Sequence, residues 1–438
     1  MVARIGCMAL ITAAAFLLLL DRAAPRVTSQ SSSQSGGQSR ELHETYDLTP
    51  GGEVSVNNTS GYIRVTSWNE SRVRVDAVKR ARRDEDLSQV EIQVMPRPGR
   101  SGRPGGSGGP GGIDIRTIYP RSQGSGVWVD YDLKVPRGAI LNALTTTNGE
   151  ITVYDPVAGV TAKSDNGSIT VREVAGDATL TSANGRVSAD RVGGALTVTS
   201  TNGGLVIGEV ASTLSAFCGN CNVIARGVHD DAKVQTTNGA IELERVGGRV
   251  TVETRNGRIK INDVGGDVTA KNYSNSVTVT NARGHVVATT LNGNVIVRGA
   301  GDGAQVRSVS GSVEISDSKG RIEADVTNGS VSLNNIDGKD VSAKSTNGGV
   351  VFTGRFYESG RYLFFSSNGN VILTLPPESN FNLTIKSDNG SINTEFPLKL
   401  APGSQLGGRG PIRGVVGKGG ADVSAISNNG AVRIKKAQ

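Results

Sequence analysis

The fold follows from the segment Thr147-Asn148-Gly149-Glu150-Ile151-Thr152-Val153, because close copies of it return every 18 residues as far as Asn328. The Asn position holds Asn in nine of eleven copies and Ser in the other two, and Gly follows it in nine. Asn-Gly tolerates the positive φ angles of a tight turn. Each copy therefore marks a corner between extended segments, and the fixed period indicates a repeat array.

Apolar residues recur at four positions of each repeat, and we expect them to point inward. The third and fifth positions after the Asn hold residues such as Ile151 and Val153, and a similar pair begins nine residues later at Val160. Each repeat thus contains two short strands with alternating polarity. Gly pairs such as Gly193-Gly194 mark a second corner. We predict an all-β fold, a parallel β-solenoid with about 18 residues per coil, whose strands stack at about 4.8 Å. The alternative, a serial β-meander, would expose one face and two edges.

Composition divides the chain into five segments. The Asn spacing loosens after Asn328 and aromatic residues return there, which we interpret as the end of the regular stack. Bulky, atypical flanks are typical of solenoid caps. The segments are a signal peptide or N-terminal anchor at 1–24, a Ser/Gln/Gly linker at 25–40, an N-terminal β-rich capping region at 41–140, the regular array at 141–350, and irregular, aromatic-rich C-terminal β coils with a cap at 351–438.

The N-terminus predicts export. Arg4 precedes an apolar run from Met8 to Leu20, a pattern typical of a secretory signal peptide. Thirteen apolar residues are too few for an ordinary membrane-spanning helix, which needs about 20. We expect the protein in the periplasm, on the outer surface or secreted, with an uncleaved N-terminal tether as the alternative.

Positive charge is concentrated in one region of a chain whose formal net charge is +7. Residues 71–103 hold nine Lys or Arg and five Asp or Glu, and Arg97, Arg100 and Arg103 lie in a Pro/Gly-rich stretch. A flexible, solvated loop is one interpretation; contact with an anionic membrane surface or envelope polymer is the other. Because no motif alternates aromatic and basic residues, we predict no nucleic-acid partner.

Two cysteines remain if the signal segment, which contains Cys7, is removed. Cys218 and Cys221 are an even pair, which in an oxidising compartment predicts a disulfide. Their spacing also matches a redox pair, but such pairs work from a helix N-terminus and no helix is expected here. Free thiols are the remaining alternative.

The sequence shows no catalytic, metal or cofactor motif. Its three histidines, His43, His229 and His285, have no metal-ligand or triad spacing. Acids recur at the seventh position after the Asn, and Asp155 and Glu173 would lie about one coil apart, close enough for a carboxylate pair. The same column also holds Arg and Gly, which favours solvent-face variation over catalysis.

Several segments resemble a bacterial β-strand-repeat family of unknown function that is catalogued under the name "putative adhesin". They are Gly-Gly-x-Val-x-Val at Gly51 to Val56, Val-Asp-Tyr-Asp-Leu-Lys-Val-Pro at Val129 to Pro136, the Thr-Asn-Gly-x-Ile-x-Val repeats, and Ser-Asn-Asn-Gly-Ala-Val-Arg-Ile at 427–434. The resemblance covers roughly 45–436 and implies an exported, envelope-associated β-solenoid without catalytic residues.

The leading functional hypothesis is a non-catalytic scaffold that binds an envelope or matrix component, either a glycan or a protein. One alternative is a structural element that self-associates end to end. The other is a polysaccharide-active β-helix enzyme that uses Asp155 and Glu173. No cofactor is expected.

Overall fold

The computed structural model describes residues 38–49, 51–98, 110–120, 126–404 and 410–438, which form 39 strands and one six-residue helix. The predicted signal peptide or anchor at 1–24 lies outside the described residues, as do Cys7, Arg100 and Arg103. The linker predicted at 25–40 also lies outside them, except that the first strand already begins at Gln38. Within the described residues, no helix is long and apolar enough to cross a membrane.

The elements that precede the array are β1 (Gln38–Asp47), β2 (Glu53–Asn57), β3 (Ile63–Trp68), β4 (Arg72–Ala81), α1 (Asp84–Gln89), β5 (Glu91–Pro98), β6 (Pro110–Ile118) and β7 (Trp128–Pro136). The array contains β8 (Ile140–Thr146), β9 (Ile151–Val153), β10 (Gly159–Ser164), β11 (Ile169–Val174), β12 (Ala178–Ser182), β13 (Val187–Val192), β14 (Leu196–Asn202), β15 (Leu205–Ile207), β16 (Leu214–Asn220), β17 (Val223–Val228), β18 (Ala232–Thr236), β19 (Ile241–Val246), β20 (Val250–Thr254), β21 (Ile259–Val264), β22 (Val268–Asn272), β23 (Val277–Ala282), β24 (Val286–Asn292), β25 (Val295–Ala300), β26 (Ala304–Ser310), β27 (Val313–Ser316), β28 (Ile322–Asn328), β29 (Val331–Asn334), β30 (Asp340–Ser345) and β31 (Val350–Thr353). The C-terminal strands are β32 (Arg361–Ser366), β33 (Val371–Leu375), β34 (Phe381–Ser387), β35 (Ile392–Thr394), β36 (Leu398–Leu400), β37 (Ile412–Val416), β38 (Ala421–Ser427) and β39 (Val432–Lys436).

The strands form two long sheets that face each other across a narrow core. Sheet 1 has the order β1-β4-β7-β3-β9, then the odd-numbered strands β11 to β33, then β39-β35. Sheet 2 has the order β5-β6-β2-β8, then the even-numbered strands β10 to β32, then β38-β34-β37-β36. Each coil gives one strand to each sheet, and the fold is a parallel β-solenoid of about 13 turns with about 18 residues per coil. The predicted fold class is confirmed.

The core consists of the four apolar columns. No residue in them is more than 3% exposed between Ile151 and Leu333. Parallel pairing joins each residue to the one 18 positions later, as in Ile241 with Ile259, so that like residues stack on like. Because these residues are mostly Val, Ile, Leu and Ala, the two sheets lie close together. Burial of each large aliphatic side chain contributes about 1.5 to 3 kcal/mol.

A ladder of Asn side chains holds the first corner. The amide of Asn166 donates to Oδ1 of Asn148 at 2.8 Å, and the pattern repeats coil by coil up to Asn256. The residue two positions before each Asn is small and mostly hydroxylic, as at Ser164, Ser182 and Ser200, and we call these residues the hydroxylic column. Its side chains bond to the backbone instead: Ser164 Oγ donates to the carbonyl of Gly149 at 2.8 Å and accepts from the amide of Gly167 at 2.9 Å. Each corner is thus tied to the preceding one through both side chains and backbone.

The stack does not end where the sequence period changes. The Asn ladder resumes at Asn328 and continues through Asn347, Asn368, Asn429 and Asn389, with donor–acceptor distances of 2.7 or 2.8 Å. The wider sequence spacing therefore reflects longer connections between coils, not a loss of coil geometry. The order of the last two Asn residues is reversed relative to the chain.

That reversal reflects an intercalated coil at the C-terminal end. Strands β38 and β39 are the last in the chain, yet β38 lies between β32 and β34, and β39 lies between β33 and β35. The N-terminal end has the same arrangement. There β2 lies between β6 and β8, and β3 lies between β7 and β9. Both ends of the stack are therefore completed by a coil that is out of sequence order.

The outermost strands are poor templates for further pairing. At one end, β1 pairs antiparallel with β4 and is mostly exposed, with charged residues such as Arg40 and Glu41, and β5 carries Pro96 and Pro98. His43 on β1 lies 2.7 Å from Asp76, and this hydrogen bond, together with one to Glu41, raises the pKa of His43. At the other end, β35 and β36 have three residues each. Charged, short or proline-containing edges oppose end-to-end pairing.

The basic region is largely part of the folded structure. Arg72 pairs with Glu70, Arg80 with Asp130 at 3.1 Å, and Arg97 with Glu53 at 3.2 Å and with Asp114 at 3.0 Å. Because Arg97 belongs to β5, the interpretation of its surroundings as a flexible loop is wrong for this residue. The short helix α1, which the sequence analysis did not anticipate, lies in the same region. Contact of this region with an anionic surface stays a prediction.

Candidate binding groove

In nearly every coil, the second corner is made by a residue in the left-handed conformation at the seventh position after the Asn; Glu209 is the exception. Positive φ angles of 51° to 77° occur at Asp155, Glu173, Arg191, Gly227, Arg245, Asp263, Asn281, Gly299, Asp317 and Asn335. Gly, Asn and Asp adopt this conformation readily, whereas Glu and Arg do so at a cost of about 1 kcal/mol or more. All residues of this column other than the glycines are exposed, in agreement with its interpretation as solvent-face variation, and the column is also a structural corner.

The corner bends the strand outward and leaves a groove beside it. The eighth residue turns inward, as Val192 and Val246 do, and the ninth is often small, as at Ala211 and Gly247. At Gly193 a Cβ atom would lie only 2.3 Å from the carbonyl oxygen of Ala175 in the preceding coil, so the close approach of the two coils requires Gly there. The floor of the groove is therefore backbone and small apolar side chains.

The groove runs along the solenoid axis from Pro156 to Gly301 and has a volume of about 1460 Å³. It crosses nine successive coils, which at a strand spacing of about 4.8 Å gives a length of roughly 40 Å. We call it the corner groove. The groove is open to solvent rather than enclosed.

The rim of the corner groove is charged, and four of its charged side chains form ion pairs, namely Glu173 with Arg191 and Glu209 with Arg245. Arg191 lies 2.7 Å from Glu173 and 2.7 Å from Asp190. Arg245 reaches Glu209, two coils away, at 3.5 Å, because Gly227 between them has no side chain. The rim therefore offers hydrogen-bonding groups without a strong net field, above an apolar floor.

Asp155 and Glu173, the two acids considered for catalysis, have different hydrogen-bond partners. Asp155 accepts a 3.4 Å hydrogen bond from the backbone amide of Ser67, whereas Glu173 is bonded to Arg191 on the groove rim. Both are exposed. Across the described ranges, no group of three or more His, Cys, Asp or Glu is placed to hold a metal ion. The geometry offers Glu173 a role in binding rather than in a carboxylate pair with Asp155.

Cys218 and Cys221 lie at the end of β16, far from the second corner. The structure joins them as a disulfide, with Cα atoms 5.9 Å apart and both side chains less than 10% exposed. Cys218 occupies the hydroxylic column and Cys221 takes the place of the usual corner Gly. A bridge here replaces the Ser-to-Gly hydrogen bonds that this coil lacks.

In unfolded protein from which residues 1–24, including Cys7, have been removed, we expect thiol titration to find no free thiol before reduction and two after it. The closed ring has only four residues, so its loss is expected to cost about 2 kcal/mol of unfolding free energy by chain entropy. A Cys218→Ser, Cys221→Gly double variant, which restores the common residue types of both columns, serves as the control and should recover part of that loss. Two free thiols in the unreduced protein would contradict the bridge.

The array contains two histidines, His229 and His285. His229 lies on the groove lining and 3.1 Å from Asp230, and His285 Nδ1 lies 3.0 Å from the carbonyl oxygen of Asp302. Neither contacts a second titratable residue that would suggest catalysis. The groove itself was missed in the sequence, although the small residues at the ninth position were a usable signal.

Comparison with known proteins agrees with the architecture. Residues 248–435 match the model of the family described as Toastrack DUF4097, a β-repeat domain of unknown function. The resemblance predicted from the sequence is thereby confirmed. The crystal structure of a "putative cell adhesion protein" from Clostridium sporogenes ATCC 15579 is similar over 91% of this chain and 100% of that one, at 11% identity and a TM-score of 0.15. A TM-score this low supports no functional argument. No curated protein matches the chain.

Proposed function

We propose that this protein is a non-catalytic scaffold of the cell envelope that binds an extended glycan strand in the corner groove. The observation that carries the proposal is the uninterrupted course of the groove across nine coils, from Pro156 to Gly301. A groove of this length fits a linear polymer that lies parallel to the solenoid axis. The backbone corner returns at nearly every coil, so successive units of a polymer meet similar backbone geometry, while the rim side chains differ from coil to coil.

The chemistry of the groove supports a glycan as the polymer. Its floor of backbone and small residues, such as Gly193 and Ala211, is apolar enough to contact the C–H face of a sugar ring. Its rim places carboxylates, guanidinium groups and the amide of Asn281 where sugar hydroxyls would lie. Since Glu173, Arg191, Glu209 and Arg245 are already paired with one another, a neutral strand can bind beside them without breaking an ion pair.

The scaffold role follows from the rigidity of the stack. Groove residues project from a parallel β-solenoid whose strands are paired on both sides along the array. Such a surface is formed before the ligand arrives, which reduces the entropy lost on binding. We place the protein outside the inner membrane because of the sequence pattern of residues 1–24 alone. Cell fractionation tests this placement.

Filling the groove is expected to abolish glycan binding without affecting the fold. In the Ala211→Trp variant, the indole would occupy the groove floor near its middle. We expect the full chain to bind at least one of purified peptidoglycan, cellulose and chitin in a sedimentation assay, and the variant to bind at least about tenfold more weakly. Its melting temperature should stay within a few degrees of the parent protein's, since the position is exposed.

Lys319→Trp is the matched control. Lys319 is exposed and occupies the same ninth position, but it lies beyond the end of the groove at Gly301. This variant should bind as the parent chain does. The proposal fails if none of the three polymers is bound, or if both tryptophan variants bind equally well. Binding of an unfolded polypeptide in place of the glycans would point to a protein partner instead.

A further inference from the structure

We infer that a second site, on sheet 2 near the first corner, binds an acidic pyranose oligomer. Residues 141–350 contain only three aromatic side chains, Tyr154, Phe217 and Tyr273. Two of these three, Phe217 and Tyr273, line one cleft of about 400 Å³. We call it the aromatic cleft. Ligand-binding cavities typically measure about 300 to 1,000 Å³, so this volume accommodates one or two sugar units.

The walls of the aromatic cleft are two neighbouring columns of side chains. Phe217, Gln235 and Glu253 stand on one side, and Arg255 and Tyr273 stand on the other. Gly219 belongs to the same column as Arg255 and Tyr273, and because it has no side chain it leaves space beside Phe217. Aromatic rings beside an amide, a carboxylate and a guanidinium group are the combination that recognises a pyranose, whose ring faces are apolar and whose edges carry hydroxyls.

The charge around the cleft favours an acidic sugar. Lys233 Nζ lies 5.7 Å from the centre of the Phe217 ring, Arg255 Cζ lies 5.9 Å from that of Tyr273, and Lys271 pairs in register with Glu253. Within the described part of the chain, none of these three cations has a salt-bridge partner. With Glu253 as the one carboxylate among them, the local charge is positive. This differs from the corner groove, where Arg191 and Arg245 are paired with carboxylates.

The apolar surface continues from the cleft along the solenoid axis. Tyr273 is 42% exposed, and the equivalent residues of the next two coils, Leu291 and Val309, are 44% and 43% exposed. Each lies one coil spacing, about 4.8 Å, beyond the last. Among the other large apolar side chains of the described array at 141–350, only Tyr154 and Val206 are similarly exposed. A ligand bound at Tyr273 can therefore extend over Leu291 and Val309, which makes an oligomer a better occupant than a single sugar.

Calorimetric titration of the full chain with a galacturonic acid hexamer tests the inference, with cellohexaose as the neutral hexamer of similar length. We expect the acidic hexamer to bind and cellohexaose to bind at least about tenfold more weakly. Tyr273→Ala should weaken binding of the acidic hexamer by about tenfold or more. Arg255→Gln should weaken it and reduce its dependence on salt.

Tyr154→Ala is the matched control, since Tyr154 is the remaining aromatic residue of the array and is 39% exposed. It should leave the dissociation constant unchanged, and so should Ala211→Trp, because the corner groove lies at the opposite corner. The inference is overturned if the acidic hexamer does not bind, if cellohexaose binds equally well, or if Tyr273→Ala and Tyr154→Ala behave alike. Failure of the corner groove proposal would leave these results unaffected.

Discussion

Removal of residues 410–438 is expected to unfold the C-terminal end of the solenoid rather than simply to shorten it. The deletion takes away β38 and β39, which pair with β34 and β35 on one side and with β32 and β33 on the other. It also removes β37, the antiparallel partner of β34. Strands β34 and β35 would lose every strand partner that they have among the described residues, and the fully buried Phe381 would be exposed.

Hydrogen exchange measures this effect directly. We expect the amides of β34 and β35 to lose protection, while those of the array, for example in β21, keep it, because each coil depends mainly on its neighbours. Light scattering should also show association through the newly exposed edges of β32 and β33.

An internal deletion is the matched control. Removing 239–256 takes out one 18-residue coil but joins Asn238 to Gly257, so the remaining coils meet in register. This chain should fold, remain monomeric and keep protection at both ends. Retained protection of β34 and β35 after removal of 410–438 would contradict the intercalated arrangement.

Phe352→Ala is expected to lower the unfolding free energy by about 3 to 5 kcal/mol. Phe352 is fully buried, and its ring centre lies 5.3 Å from that of Phe356 and 5.1 Å from that of Phe364. The loss has two sources: the burial of the ring and the aromatic pairs, which add about 0.5 to 1.5 kcal/mol each. Urea denaturation, followed by the fluorescence of nearby tyrosines, measures it.

Phe365→Ala provides the comparison with the same substitution on the other face of β32. Phe365 is half-buried on the outer surface of its strand, next to the fully buried Phe364. We expect it to cost less than half as much as Phe352→Ala, since truncation there leaves no internal cavity. Equal losses for the two variants would show that the aromatic cluster does not act as a packed core.

The array could be predicted from the sequence because its signal is repeated. One coil alone would be ambiguous, but columns such as the one that begins at Ile151 and Val153 contain no polar residue over eleven coils, which only parallel stacking explains. The prediction stopped at Asn328, where insertions shift the spacing while the Asn ladder itself continues. The number of residues between two Asn positions includes both the strands of the coil and the loops between them. A longer loop therefore cannot be distinguished, from the spacing alone, from a change in coil geometry.

The intercalated end coils could not be predicted for a related reason. A strand pairs in this fold with whichever equivalent strand lies beside it, and all of them have similar alternating patterns. Nothing in residues 421–436 distinguishes a position between two coils from a position at the end. The corner groove was missed because Glu173, Arg191 and Arg245 are residue types that rarely adopt positive φ angles, so their column read as ordinary surface variation.

The position of the last coil has a mechanical consequence. A strand at the end of a stack can be peeled away one hydrogen bond at a time when the chain terminus is pulled. Strand β39 instead has a parallel neighbour on each side, Val432 facing both Val371 and Ile392. Tension on the C-terminus would act in shear on two ladders of backbone hydrogen bonds at once. The C-terminal strand should therefore resist mechanical unfolding.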